Sequence, residues 1–82
     1  MFRLLGELAR SIGGGEAVNH AVEQCKTELR QAGFGPIDYI AYVDGDSLEP
    51  LPEYQAGGRL IAAAFLGNVR LIDNVSVVSV TV

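Results

Sequence analysis

The chain opens with a helical repeat of apolar positions. Phe2, Leu5, Leu8, Ala9 and Ile12 recur at intervals of three and four residues, which places them on one face of an α-helix. Gly13, Gly14 and Gly15 end that repeat, because glycine gives up the most conformational freedom in a helix. A tight interhelical turn is expected there. A second stripe, Ala17, Val18, Ala21, Val22, Cys25 and Leu29, predicts a helix from Glu16 to Gln31 with Glu23, Lys26, Thr27 and Arg30 on its outer face. Glu16 and Glu23 towards its start and Lys26 and Arg30 towards its end suit the helix dipole. Gly33 is placed as a left-handed cap, with Phe34 packing back on the last turn in a Schellman-like ending, and Pro36 forbids continuation.

Beyond Pro36 the period changes from helical to extended. Ile37–Val43 predicts a strand with Tyr39, Ala41 and Val43 on one face and Ile40 and Tyr42 on the other. Asp44-Gly45-Asp46 reads as a turn whose carboxylates cap the backbone. Ser47–Gly58, with two prolines and paired glycines, predicts a loop pinned to the core by Leu48 and Leu51. Arg59–Leu66 is a second strand, and Gly67-Asn68 joins it to a third as a two-residue hairpin, since both residues tolerate positive φ. In the third, Val69, Leu71, Asp73, Val75 and Val77 alternate, after which the phase slips to Val78, Val80 and Val82. A β-bulge near Val77 or Val78 would produce that slip.

Two helices followed by three strands predict an α+β fold: two N-terminal helices packed on a three-stranded antiparallel sheet, in two layers. Helices on one side leave the other side of the sheet open. Ile40, Ile72, Val78 and Val80 are expected there, and self-association through that face or through the valine-rich C-terminal strand is expected with them.

Composition narrows the function. At 82 residues the chain is one domain, and a chain this short buries only roughly 60% of its unfolded surface, so its stability is expected to be marginal. The net charge is −4 and no basic cluster occurs, which argues against nucleic acid and a polybasic membrane contact. No apolar run approaches the roughly 20 residues that span a bilayer. The start, with a charge in its apolar stretch, does not read as a signal peptide. The single cysteine, Cys25, sits on the second apolar stripe and reads as a reduced core thiol, which suits the cytoplasm.

Few residues suggest chemistry. His20 lies five residues from Cys25, off same-face spacing, and near Glu16 and Glu23. A metal would need more ligands than these, so His20 reads as solvent-facing. Asp44 and Asp46 lack the further oxygen ligands of a calcium loop. Of the two tyrosines in the first strand, one is expected under the helices and the other on the open sheet face. Arg59, after two glycines, reads as an ordinary charge at a strand start. The polar residues that stand out are Arg70, Asp73 and Asn74, inside the best strand. Arg70 and Asp73, three apart, fall on opposite faces. Each is expected to find its own partner: a helix end, a loop carbonyl or a cross-strand charge. Asp73 is also placed to accept N–H groups from the Ser47–Gly58 loop. The competing reading puts one of them at an interface with another domain.

These pieces, in this order, carry a resemblance. Asp38-Tyr39, Val43-Asp44, Leu48-Glu49-Pro50, Ala62-Ala63-Ala64, Gly67 and the pentapeptide Arg70-Leu71-Ile72-Asp73-Asn74 together resemble the C-terminal domain of the pantothenate synthetases (pantoate–β-alanine ligases). The match runs to Val75. The resemblance implies an enzyme that uses ATP, with Mg²⁺, to form a pantoyl-adenylate and release pyrophosphate. β-Alanine then attacks the adenylate to give pantothenate and AMP, on the route to coenzyme A. The family's His-x-Gly-His and Ser-Ser-Arg-Asn motifs, which engage ATP, belong to its N-terminal nucleotide-binding domain, and neither occurs in this sequence. The resemblance therefore implies a lid domain, residues 1–82, whose partner is the N-terminal catalytic domain, with pantoate, β-alanine and ATP bound by the whole enzyme. It implies no catalytic or metal-binding residue here, no ligand bound by this chain alone, and no activity from it alone. The alternative is a free-standing interaction module of the same fold. A small independent enzyme is disfavoured, since no nucleophile–base pair, metal cluster or phosphate loop is in the sequence.

Overall fold

The computed structural model describes residues 2–79. The Phe2 side chain and the predicted contributions of Val80 and Val82 lie outside the described residues. The order is α1 (Phe2–Gly13), α2 (Val18–Gln31), β1 (Ile37–Asp44), β2 (Gly58–Leu66) and β3 (Val69–Ser76). The strands form one antiparallel sheet in the order β1-β2-β3. Helix α1 packs on α2 and β3, and α2 packs on β1. The fold is the expected two-layer α+β arrangement. No helix among the described residues is long and apolar enough to cross a membrane.

Most of both predicted helical stripes becomes core; Ala17, expected on the second, is exposed and precedes α2. Leu5, Leu8 and Ile12 of α1 meet Val18, Ala21, Val22, Cys25 and Leu29 of α2 over Ile40, Tyr42, Leu60 and Ala62 of the sheet and Val77. Leu5, Ile12, Leu29 and Leu60 are the largest fully buried side chains, each contributing about 1.5–3 kcal/mol by leaving water. Helix α2 starts two residues later than expected, at Val18, and has no acidic residue in its first turn. Glu16 belongs instead to the interhelical turn, where its N–H donates to the Ser11 carbonyl. The dipole argument thus holds only at the other end, where Arg30 lies in the last turn. There Gly33 takes φ +96°. The Phe34 N–H reaches the Leu29 carbonyl at 2.9 Å and the Gly33 N–H reaches that of Arg30 at 3.1 Å, which is the Schellman pattern.

The hairpin forms at Gly67-Asn68, with Leu66 opposite Val69. Of the two turn residues only Gly67, at φ +62°, has positive φ, the II′ rather than the I′ arrangement. Pairing runs unbroken from there to Arg59 opposite Ser76, and β3 stops at Ser76. The expected bulge near Val77 or Val78 is therefore absent; the phase slip is the end of the strand. A bulge occurs instead in β1, between Ile37 and Tyr39. Ile37 stands opposite Ala64 and Tyr39 opposite Ala63, leaving Asp38 as the extra residue. A bulge re-aims side chains: here it sends Ile37 to the helix side, where it packs on the core, and frees Asp38 for the other side.

The loop after β1 is tied down by polar groups more than by leucines. Leu51 packs on the core, but Leu48 is 61% exposed and takes φ +63°, so it does not pin the loop. Asp44 Oδ1 accepts the N–H groups of Asp46 at 2.9 Å and Ser47 at 3.0 Å, as the Asp-Gly-Asp turn predicts. These bonds hold the Asp44 carboxyl below its usual range. Further on, the loop pairs briefly with the edge of β1 at Pro50. Tyr42, 2% exposed, closes it: its hydroxyl donates to the Gln55 carbonyl at 3.0 Å and accepts from the Gln55 N–H at 3.1 Å. Its ring occupies the space a Cβ at Gly58 would need.

Candidate functional site

The sheet has helices on one side only, and the other side carries Asp38, Arg59, Arg70, Asn74 and Ser76. Register fixes which residues share it. Tyr39, Ala63 and Ile72 lie opposite one another across the three strands, as do Ala41, Ile61 and Asn74. Tyr39 is 37% and Ile72 63% exposed, with Ile61 and Phe65 half-buried beside them. Ile40, expected here, is instead buried among the helices, because it shares parity with Tyr42. Val78 is exposed, but it lies beyond the end of β3 and so is not part of the sheet face where it was expected.

A polar cluster flanks this apolar strip at each end. Near the hairpin, the Arg70 guanidinium grips Asp38 Oδ2 through Nη2 at 2.8 Å and Nε at 3.2 Å. Of the three kinds of partner expected for Arg70, this is the cross-strand charge, spanning the width of the sheet. At the far end Arg59 donates through Nη1 to Ser76 Oγ at 2.9 Å and through Nη2 to Asn74 Oδ1 at 2.6 Å. Both acceptors are neutral, and among the described residues Arg59 makes no ion pair. It retains donors beyond those two bonds, since a guanidinium carries five. Arg59 also borders a depression of 330 Å³ with Gly45, Asp46, Gly58, Ser76 and Val77.

The three predicted residues are thus not one site. Arg70 and Asn74 share the open side, about 13 Å apart along the strand, and serve different clusters. Asp73 lies on the helix side, opposite Ala62, and its Oδ1 accepts the Asn74 N–H at 2.8 Å. It does not hold the Ser47–Gly58 loop, which lies beyond β1, two strands away. Arg59 and Ser76 were not predicted. The Gly67-Asn68 hairpin contained the signal, since a two-residue turn sets Arg59 opposite Ser76 with Asn74 on the diagonal. Elsewhere, His20 is exposed, with Nδ1 2.8 Å from Glu16 Oε1. Cys25 is buried, and burial, with Glu28 and Glu7 nearby, raises its pKa.

Residues 1–76 match the Pantoate-beta-alanine ligase family. The chain belongs to that family. It is 52% identical over 75 residues to the pantothenate synthetase of Rhizorhabdus wittichii, covering 92% of this chain and 27% of that protein. Against the pantothenate synthetase of Rhodospirillum rubrum it is 42% identical over 78 residues, covering 94% and 28%. A crystal structure of pantothenate synthetase from Thermus thermophilus superposes with TM-score 0.79 at 35% identity, again covering 94% of this chain and 28% of that one. The chain therefore corresponds to the C-terminal part of the family's proteins and spans little more than a quarter of their length. The family match ends at Ser76, where β3 ends.

Proposed function

We propose that residues 1–82 are a single lid domain of an ATP-dependent pantoate–β-alanine ligase, and that the chemistry belongs to the N-terminal part of the enzyme. The observation that carries this is the combination of family membership over residues 1–76 with the absence from the sequence of His-x-Gly-His and Ser-Ser-Arg-Asn. In this reading the whole enzyme activates the pantoate carboxylate with ATP, releasing pyrophosphate. The β-alanine amine then displaces AMP to give pantothenate. ATP and Mg²⁺ are held by the N-terminal part. The lid excludes water from an adenylate that hydrolysis would waste. Arg70, Asp73 and Asn74 hold the sheet in shape or face the domain boundary; they do not touch the reacting atoms. The single buried thiol suits a reducing compartment, and the reading places the enzyme in the cytoplasm.

The test is an assay of pantothenate formation from pantoate, β-alanine and ATP. The chain alone is expected to give none. The chain joined behind the N-terminal three quarters of the Rhizorhabdus wittichii enzyme is expected to turn over. Product from the chain alone would overturn the lid reading, and an inactive fusion would count against it.

A further inference from the structure

We propose that Asp44-Gly45 is a self-modification site, where the Gly45 backbone nitrogen converts Asp44 to isoaspartate when the Ser47–Gly58 loop opens, and that the Tyr42 hydroxyl is the latch that prevents it. The proposal does not depend on the lid reading.

Asp44-Gly45 is the one Asp-Gly step in the sequence, and Asn-Gly does not occur. The chemistry is intramolecular. The Gly45 nitrogen attacks Asp44 Cγ and closes a five-membered imide. The amide hydrogen and the carboxyl OH leave together as water. Water then reopens the ring at the main-chain carbonyl of Asp44, so that the backbone runs on through the side chain. Nothing is oxidised or reduced, and no co-reactant but water is needed. Glycine favours the first step, because it has no Cβ to hinder its nitrogen.

Three observations carry it. First, the fold forces the labile pair together. A Cβ at Gly45 would lie 2.6 Å from the Gly57 carbonyl oxygen, so a larger residue there would displace that backbone. Asp44 is needed beside it, since its Oδ1 accepts the N–H groups of Asp46 and Ser47 and shapes the turn. Second, both reacting groups are occupied in the closed loop. The Gly45 N–H donates to the Gly57 carbonyl at 3.0 Å, while attack requires that nitrogen to lose its proton and turn to Cγ. The two bonds to Oδ1 hold the Asp44 carboxyl ionised, the form from which water does not leave. Third, the block depends on one side chain. The Tyr42 hydroxyl bonds both the N–H and the carbonyl of Gln55, and that carbonyl also accepts the Gly58 N–H at 3.1 Å. These bonds fix the stretch that presents the Gly57 carbonyl to Gly45. Most of the loop is otherwise exposed, so it can open while the sheet and helices stay folded. Conversion would lengthen the backbone where Asp44 pairs with Gly58 and keep the loop from closing again.

The test incubates the 82-residue chain at neutral pH and follows isoaspartate at each aspartate by peptide mapping, with amide exchange of the loop measured on the same samples. The folded chain is expected to convert Asp44 about tenfold or more slowly than the same chain unfolded in urea, and Tyr42→Phe to convert it about tenfold faster than folded wild type, in step with faster exchange in the loop. Asp44→Glu should give no product at position 44 even though the loop is loosened, because its ring would need six members. Leu51→Ala, which frees the loop at the leucine packed on the core, tests the same latch and stands in for Tyr42→Phe if that variant does not fold. Equal rates in folded and unfolded wild type would overturn the protection. Faster loop exchange in either variant with an unchanged rate at Asp44 would overturn the latch. Isoaspartate at Asp38, Asp46 or Asp73 ahead of Asp44 would overturn the site.

Discussion

The two sides of one three-stranded sheet are made by alternate residues of the same strands, and they differ in kind. On the helix side Ile40, Tyr42, Leu60 and Ala62 are packed into the core. On the other side apolar residues such as Ile72 stay in water, and the ordered contacts are polar ones that reach across strands: Asp38 to Arg70, and Arg59 to Asn74 and Ser76. The difference teaches that apolar alternation marks a strand without marking which side is covered. Both sides here are rich in apolar residues, and exposed apolar surface is common in folded proteins. What separates the sides is the enclosure of residues such as Ile40 against Ile72 and whether the polar neighbours are tied, for Val43 and Ala63 on the open side's parity are buried as well.

That contrast can be broken, starting at the covered side. Leu60→Ala, which empties a fully buried site on the central strand, should cost about 2–5 kcal/mol in urea unfolding. Tyr42→Phe should cost about 1–3 kcal/mol, because it removes the hydroxyl that serves both the N–H and the carbonyl of Gln55. Its mark should be faster amide exchange in the Ser47–Gly58 loop ahead of the sheet.

Asp44 sits at the boundary of that loop and supplies a pH test. Its folded pKa is lowered by the Ser47 and Asp46 N–H groups. Its contribution is therefore present above the unfolded carboxylate value, about 3.9, and fades as pH falls through the lower folded value. The stability gap between wild type and Asp44→Asn should be open at pH 6 and close in acid. A gap that does not change with pH would show that the charge plays no part.

On the open side the effects should shrink. Arg70→Ala removes an ion pair whose side chains are 41% and 48% exposed, so about 0.2–1 kcal/mol is expected, less in high salt. Ile72→Asn should change stability by no more than about 0.5 kcal/mol. A loss comparable to that of Leu60→Ala would mean that the open side is packed after all, and the contrast between the two sides would fail.

Local signals explain how much could be read in advance. The helical stripes of α1 and α2, the glycine cap at Gly33, the turn at Asp44 and the hairpin at Gly67-Asn68 each depend on a few neighbouring residues, and all appear where the sequence puts them, apart from the start of α2, which comes two residues late. Leu48 failed as an anchor because its burial depends on where the loop returns, which neighbouring residues do not encode. Asp73 failed as a loop clamp for a related reason: its proposed partner lies across the sheet from it, and sequence distance says nothing about strand order.

By itself, the sequence determined the elements, the fold class and, through Arg70-Leu71-Ile72-Asp73-Asn74 and the pieces before it, the family. Those properties follow from residue type and short-range spacing. Tertiary structure alone decided that Asp38 meets Arg70 and that Ile40 lies beneath the helices. Side is assigned by counting residues in twos from a paired neighbour, and one unpaired residue, Asp38 in the bulge of β1, inverts the count for everything before it. The pairing across strands that creates such a bulge is a long-range fact, fixed only when the sheet closes against its helices.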